Sequence, residues 1–138
     1  MMFSTKAEYG VRVMAHLAGH NGDGPVSLAS IAEAEGLPLA YLEHLAARLR
    51  RAELVESRRG AHGGYSLARP AEDITVGDVV RSVGGALTTV RGLPTTGMTY
   101  HGVATGLKDV WLAVEEAIEG VVNHRTLAEL TVSTIPTN

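Results

Sequence analysis

Residues 38–69 read PLAYLEHLAARLRRAELVESRRGAHGGYSLAR, and this stretch decides the fold. Leu42, Leu45, Ala46 and Leu49 recur at helical spacing and would pack inward. Ala40, Glu43, His44, Ala47 and Arg51 fall mainly on the opposite face, with Tyr41 and Arg48 at the border. Leu54-Val55-Glu56-Ser57 then alternates like a short strand, and Tyr65-Ser66-Leu67 reads as the returning one. Between them, Arg58-Arg59-Gly60-Ala61-His62-Gly63-Gly64 is a turn with two arginines on its rising side. Gly63 and Gly64 permit the positive φ that a tight hairpin requires. An amphipathic helix alone is an ordinary surface helix. A helix followed by a basic hairpin has the order of a recognition helix and its wing.

Working outward, Ser27 is a good N-cap for a helix over Leu28 to Glu35, and Gly36 ends it. Pro38 fits the first turn of the next helix, where a missing N–H does no harm. Helix, turn around Gly36 and second helix match a helix-turn-helix. Upstream, Ser4 or Thr5 caps a helix with Glu8 in its first turn. Its apolar positions include Ala7, Val11, Met14 and Ala18, and it stops near His20, before Asn21-Gly22-Asp23-Gly24-Pro25. His16 and His20 lie four apart and would be able to share a metal. No Glu follows His16, so the zinc-protease motif is absent. The plainer reading is that His20 suits a helix C-terminus.

Downstream, Thr75 caps a helix from Val76 to Val83, closed by Gly84-Gly85. Residues 86–106 have weak periodicity and many Gly, Thr and Pro positions, and read as a long loop. Leu107, Val110, Trp111, Val114, Ile118 and Val121 then recur at helical spacing over roughly 105–123, with Glu115, Glu116 and Glu119 outside. A long helix after a completed small domain needs a surface to bury against, and a second copy of the chain is the natural one. Thr126 caps a last short helix from Leu127 to Thr131. The expected fold is mainly α with a small β-hairpin. A winged helix-turn-helix domain spans 1–85, followed by the 86–106 loop. A dimerisation helix and short C-terminal helix span 107–132, and 133–138 form a mobile tail.

The chain has 138 residues and a formal net charge of −3, which argues against a general nucleic-acid coat protein. The average hides an asymmetry. Arg48, Arg50, Arg51, Arg58, Arg59 and Arg69 face only Glu53 and Glu56 within 48–69. From 105 onward, Lys108 and Arg125 face Asp109, Glu115, Glu116, Glu119 and Glu129. One basic segment on an acidic chain suggests a single face aimed at a polyanion. There are no cysteines, so disulfides and thiolate metal sites are excluded. No apolar run reaches the roughly 18–20 residues that span a bilayer, and the first residues lack a signal-peptide core, so a cytoplasmic protein away from membranes is expected. The glycine-rich turn is followed by a strand-like segment and no Gly-Lys-Ser/Thr is present, so it does not read as a nucleotide loop. No catalytic constellation stands out, and an enzyme is not expected.

Three stretches together carry a resemblance: Ser-Thr-Lys-Ala-Glu-Tyr-Gly-Val-Arg at 4–12, Tyr41-Leu42-Glu43 with Leu49-Arg50, and Arg59-Gly60-x-x-Gly63-Gly64-Tyr65-x-Leu67. The chain resembles the BadM/Rrf-two family of bacterial winged helix-turn-helix transcription regulators over most of 1–132, most specifically in 38–69. The resemblance implies a homodimer that reads a partly palindromic DNA duplex, and a repressor is the expected role. It places Ser27 and Leu28, then Ala40, Tyr41, Glu43 and His44, then Arg58, Arg59, His62 and Gly63 against DNA. Arg48 and Arg51 are expected on phosphates or in ion pairs. Glu43 would accept from a cytosine amino group, and the wing arginines would enter the minor groove. Leu107, Val110, Trp111, Val114, Ile118 and Val121 would form the dimer seam. Cluster-sensing members carry three cysteines in the loop before the long helix. This chain has none, so no thiolate-ligated iron–sulphur cluster and no other cofactor is expected. Met98, Tyr100, His101 and Trp111 are the candidates for a small-molecule effector pocket. A protein-interaction module on the same scaffold is the alternative reading.

Overall fold

The computed structural model describes residues 2–84 and 88–131. The tail expected over 133–138 lies outside them, as does Gly85. Helix α1 spans Thr5–Gly19. The Ser4 hydroxyl accepts from Ala7 N–H at 3.1 Å, satisfying one orphan donor of its first turn. Ala7, Gly10, Val13, Met14 and Leu17 form its buried face. Helix α2 (Leu28–Glu35) is capped by Ser27, whose hydroxyl accepts from Ser30 N–H, and it ends at left-handed Gly36. Helix α3 (Leu39–Arg51) begins after Pro38 and buries Leu42, Leu45, Ala46 and Leu49.

The wing is a two-stranded antiparallel sheet, β2 (Val55–Arg58) and β3 (Gly64–Leu67), with Val55 opposite Leu67 and Arg58 opposite Gly64. Arg58 therefore belongs to a strand rather than to the turn. The positive φ angles fall at Gly60 and Gly64, and Gly63 is not among them. Gly63 is required for another reason: a Cβ there would stand 2.2 Å from the Arg58 carbonyl oxygen. Helix α4 (Val76–Ser82) opens on a capping box, with the Thr75 and Asp78 side chains each accepting from the other's backbone N–H at 3.0 Å.

Within the expected 86–106 loop, the described residues 88–106 carry more structure than a loop reading allows. Strands β4 (Thr88–Val90) and β5 (Leu93–Pro94) pair around Arg91-Gly92, both at positive φ as a type I′ hairpin demands. Strand β1 (Met2–Phe3) adds to β4, giving the order β1-β4-β5. Segments this short carry no visible period, and Arg91 is a non-glycine residue in a glycine-favoured conformation. Two short 3-10 turns follow, at Thr95–Gly97 and Gly102–Ala104.

Helix α5 spans Leu107–Val122, and α6 spans Leu127–Thr131. The packing divides the C-terminal part differently from a joined 107–132 unit. Leu127 is fully buried in the winged-domain core, beside Met14, Ile31, Leu42, Leu45, Leu49, Leu54, Ile74, Val79 and Val83. Its N–H donates to the Ile74 carbonyl, and Val76 N–H donates to the Arg125 carbonyl. α6 thus packs on α1 and on the segment that leads into α4, while α5 buries no residue fully.

Candidate nucleic-acid interface

On α3, the buried leucines turn Ala40, Glu43, His44, Ala47 and Arg51 outward, and all five are exposed. Arg58, Arg59 and His62 are exposed on the wing. The three-residue turn Gly36–Pro38 sets α3 against α2, and the exposed α3 face is followed in the chain by the cationic hairpin, whose first strand packs on α3. Arg50 Nη1 donates to the Ser57 hydroxyl at 3.3 Å and ties the end of α3 to the first wing strand.

Three of the sequence-derived candidates work mainly inside the protein. Tyr41 is half-buried, and its ring meets Tyr9 edge-on at 5.5 Å between centroids, locking α3 to α1. Leu28 packs against the core. Arg48 lies across to α4, its Nη1 donating to the Val83 carbonyl at 3.2 Å and its Nε to His44 Nε2 at 3.3 Å. Its charge therefore compensates helix carbonyls at the end of α4 rather than an ion-pair partner. Ser27 is exposed, with its hydroxyl engaged in the N-cap.

Residues invisible to local pattern hold the surface in place. Val26 and Tyr65 exchange two backbone hydrogen bonds, each 2.8 Å, so the residue before the Ser27 cap flanks the outer wing strand. Gly64 makes this approach possible: a Cβ would stand 2.4 Å from the Val26 carbonyl oxygen. Arg12 donates to the Glu35 carbonyl at the end of α2 and lies 3.8 Å from the Glu35 carboxylate.

His16 and His20 do meet, with ring centroids 4.4 Å apart and planes inclined at 16°. Parallel stacked rings hold their in-plane lone pairs side by side, which is not a chelating arrangement. His16 Nδ1 lies 3.1 Å from Glu35 Oε2, and His20 Nδ1 lies 2.9 Å from the His16 carbonyl. Of the expected effector residues, Met98, Tyr100 and Trp111 come together. Met98 is buried, Trp111 Nε1 donates to the Tyr100 hydroxyl at 2.8 Å, and that hydroxyl lies 3.6 Å from Met98 Sδ. His101 is exposed, apart from this chain of contacts.

The profile of the Rrf2 family, described as iron-dependent transcriptional regulators, matches residues 3–133. The chain belongs to the Rrf2 family. Among curated relatives, this Rrf2 chain is similar to the HTH-type transcriptional regulator CymR of Bacillus subtilis. They are 38% identical over 130 residues, covering 94% of this chain and 89% of that one. It is also 39% identical to the regulator IscR of Serratia proteamaculans, over 94% of this chain and 79% of IscR. Its fold superposes on the structure of CymR, titled the global cysteine regulator of B. subtilis, with a TM-score of 0.80 and 36% identity, covering 98% and 99% of the two chains. The protein is a DNA-binding transcription regulator of the winged-helix kind, and the relatives are named as transcriptional regulators, not enzymes.

The family is described as iron-dependent, and iron–sulphur clusters are held by cysteine thiolates. This Rrf2 chain has no cysteine. Among its described residues no three His, Asp or Glu side chains converge as a metal-holding group. These residues do not fit a thiolate-ligated cluster.

Proposed function

We propose that this Rrf2 regulator acts in the cytoplasm as a homodimer that represses transcription from a partly palindromic site, without an iron–sulphur cluster. The observation that carries the dimer is the outer row of α5. Val110, Val114 and Val121 are 52%, 37% and 58% exposed, while Leu107, Trp111 and Ile118 are turned partly inward. An apolar row of this length on a long helix calls for a partner helix. Two copies joined along it would present two α3 faces and two wings, the arrangement that reads two half-sites.

Selection of bound sequences from a random duplex library tests the reading. A partly palindromic consensus is expected, and binding should be unchanged by iron chelation. Enrichment of no sequence, or loss of binding on chelation, would overturn it.

A second reading concerns gating. The Trp111–Tyr100 bond ties the segment before α5 to α5 itself, so a small effector that displaced it would move the dimer helix relative to β4 and β5. Trp111 fluorescence, titrated with metabolite fractions, should change saturably in that case. An unresponsive signal would leave the regulator without an effector at this place.

A further inference from the structure

A cavity of about 190 Å³ lies at the root of the wing, between the end of α1, the turn that follows it and β3. Its walls include Asn21, Gly22, Gly24, Arg58, Tyr65 and Ser66, and no Asp or Glu lines it. Arg58 stands on β2, whereas Val26 flanks the opposite edge of β3. The Arg58 side chain therefore reaches over β3 to meet this wall. The register puts it opposite Gly64, which has no side chain to block the way.

The donors here are unspent. Among the described residues, the Arg58 guanidinium, the Asn21 side-chain amide and the Tyr65 and Ser66 hydroxyls have no hydrogen-bond partner in the chain. The N–H groups of Gly22 and Gly24 have none either. Several donors and one full positive charge complement an oxyanion; the nearest acids, Glu56 opposite Ser66 on the sheet and Asp23 between the two glycines, do not line the cavity. The volume is too small for a nucleotide.

We propose that the wing-root cavity binds an oxyanion of phosphate or small-carboxylate size. Its source is either a backbone phosphate of the bound duplex or a free anion that engages Arg58 in place of DNA. Either source couples occupancy of the cavity to the wing, because the same guanidinium serves both. The inference rests on the DNA-reading surface only for its consequence, and the first measurement does not involve DNA.

The full chain, labelled with nitrogen-15, is titrated with sodium phosphate at ionic strength held constant by sodium chloride. Saturable shifts are expected at the amides of Gly22, Gly24, Tyr65 and Ser66. The Asn21→Ala/Ser66→Ala variant should bind phosphate at least about tenfold more weakly, since two donors are removed. Asn21→Ala alone, in an exposed turn, serves if the double variant does not fold. Affinity for the selected duplex then separates the sources. If the site takes a DNA phosphate, the variant loses duplex affinity in chloride as well, with a salt slope near that of wild type because Arg58 is retained. If it takes a free anion, the variant binds duplex as wild type does in chloride but no longer weakens when phosphate is added. Equal shifts in chloride and phosphate, or an unaltered titration in the variants, would overturn the proposal.

Discussion

Two residues with unusual backbone angles have opposite consequences. Glu53, just past the end of α3, sits at φ 61. Leu54 N–H reaches back to the Leu49 carbonyl there at 3.0 Å, closing the helix end. Glu53 is exposed, so the side chain gains nothing from the strain. Glu53→Gly should stabilise the fold by about 0.5 kcal/mol, the relief of the left-handed strain less the entropy of a freer chain. Urea denaturation checks this, and a loss of stability would refute it. Gly64 is the reverse case. Its φ of 147 and the contact with Val26 leave no room for a methyl group. Gly64→Ala should cost more than about 2 kcal/mol and detach the wing from the α2 cap. A variant with wild-type stability and DNA affinity would show that the contact is not needed.

At the scale of elements, α4 carries a pH-dependent start. Burial pushes the Asp78 carboxyl up, but the Thr75 N–H, the Arg81 guanidinium and the Thr75 hydroxyl together outweigh it and hold Asp78 below the ordinary aspartate value. A depressed carboxyl contributes stability that is present above its unfolded value and is lost as pH falls through its folded value. Asp78→Asn should therefore be less stable than wild type at neutral pH, with the gap closing below the ordinary aspartate range. A gap independent of pH would mean that the cap acts through shape alone. Helix α5 gives the second element-scale prediction. Val114→Glu with Val121→Glu would place unpaired charges in the proposed seam and weaken the dimer about a hundredfold or more. Sedimentation measures this directly, and dimers of unchanged strength would move the interface elsewhere. These elements differ in how openly the sequence announces them. Ser4, Ser27, Gly36 and Thr75 act on neighbours three or four residues away, so the helices were legible. β1 and β4 are two or three residues each, and they meet only through tertiary folding, so nothing local marked them.

For the whole molecule, the proposed DNA contact depends on the exposed wing arginines, Arg58 and Arg59, of a chain whose net charge is −3. Replacing Arg58 and Arg59 by Ala should weaken duplex binding and reduce the salt slope by roughly 0.9 for each phosphate contact removed. Fluorescence anisotropy at several salt concentrations measures both quantities, and an unchanged slope would separate the wing from the phosphates. The exposed candidates on α3 and the wing were legible because amphipathic spacing and a basic hairpin are local signals. The internal duties of Arg48 and Tyr41 were not, since the Val83 carbonyl and Tyr9 are each more than thirty positions away in the chain. The same distance explains α6, whose Leu127 closes a core begun at Val13.

The paired bonds between Val26 and Tyr65 also supply an internal clock. Each amide is shielded from solvent exchange by the other's carbonyl, so neither should exchange its hydrogen until the strand and the α2 cap separate. Their exchange rates would then rise and fall together, apart from those of the core helices if the separation is local, and equal to them if the hairpin comes away only when the domain unfolds. Two amides thus report whether the wing is a hinged part or a fixed one.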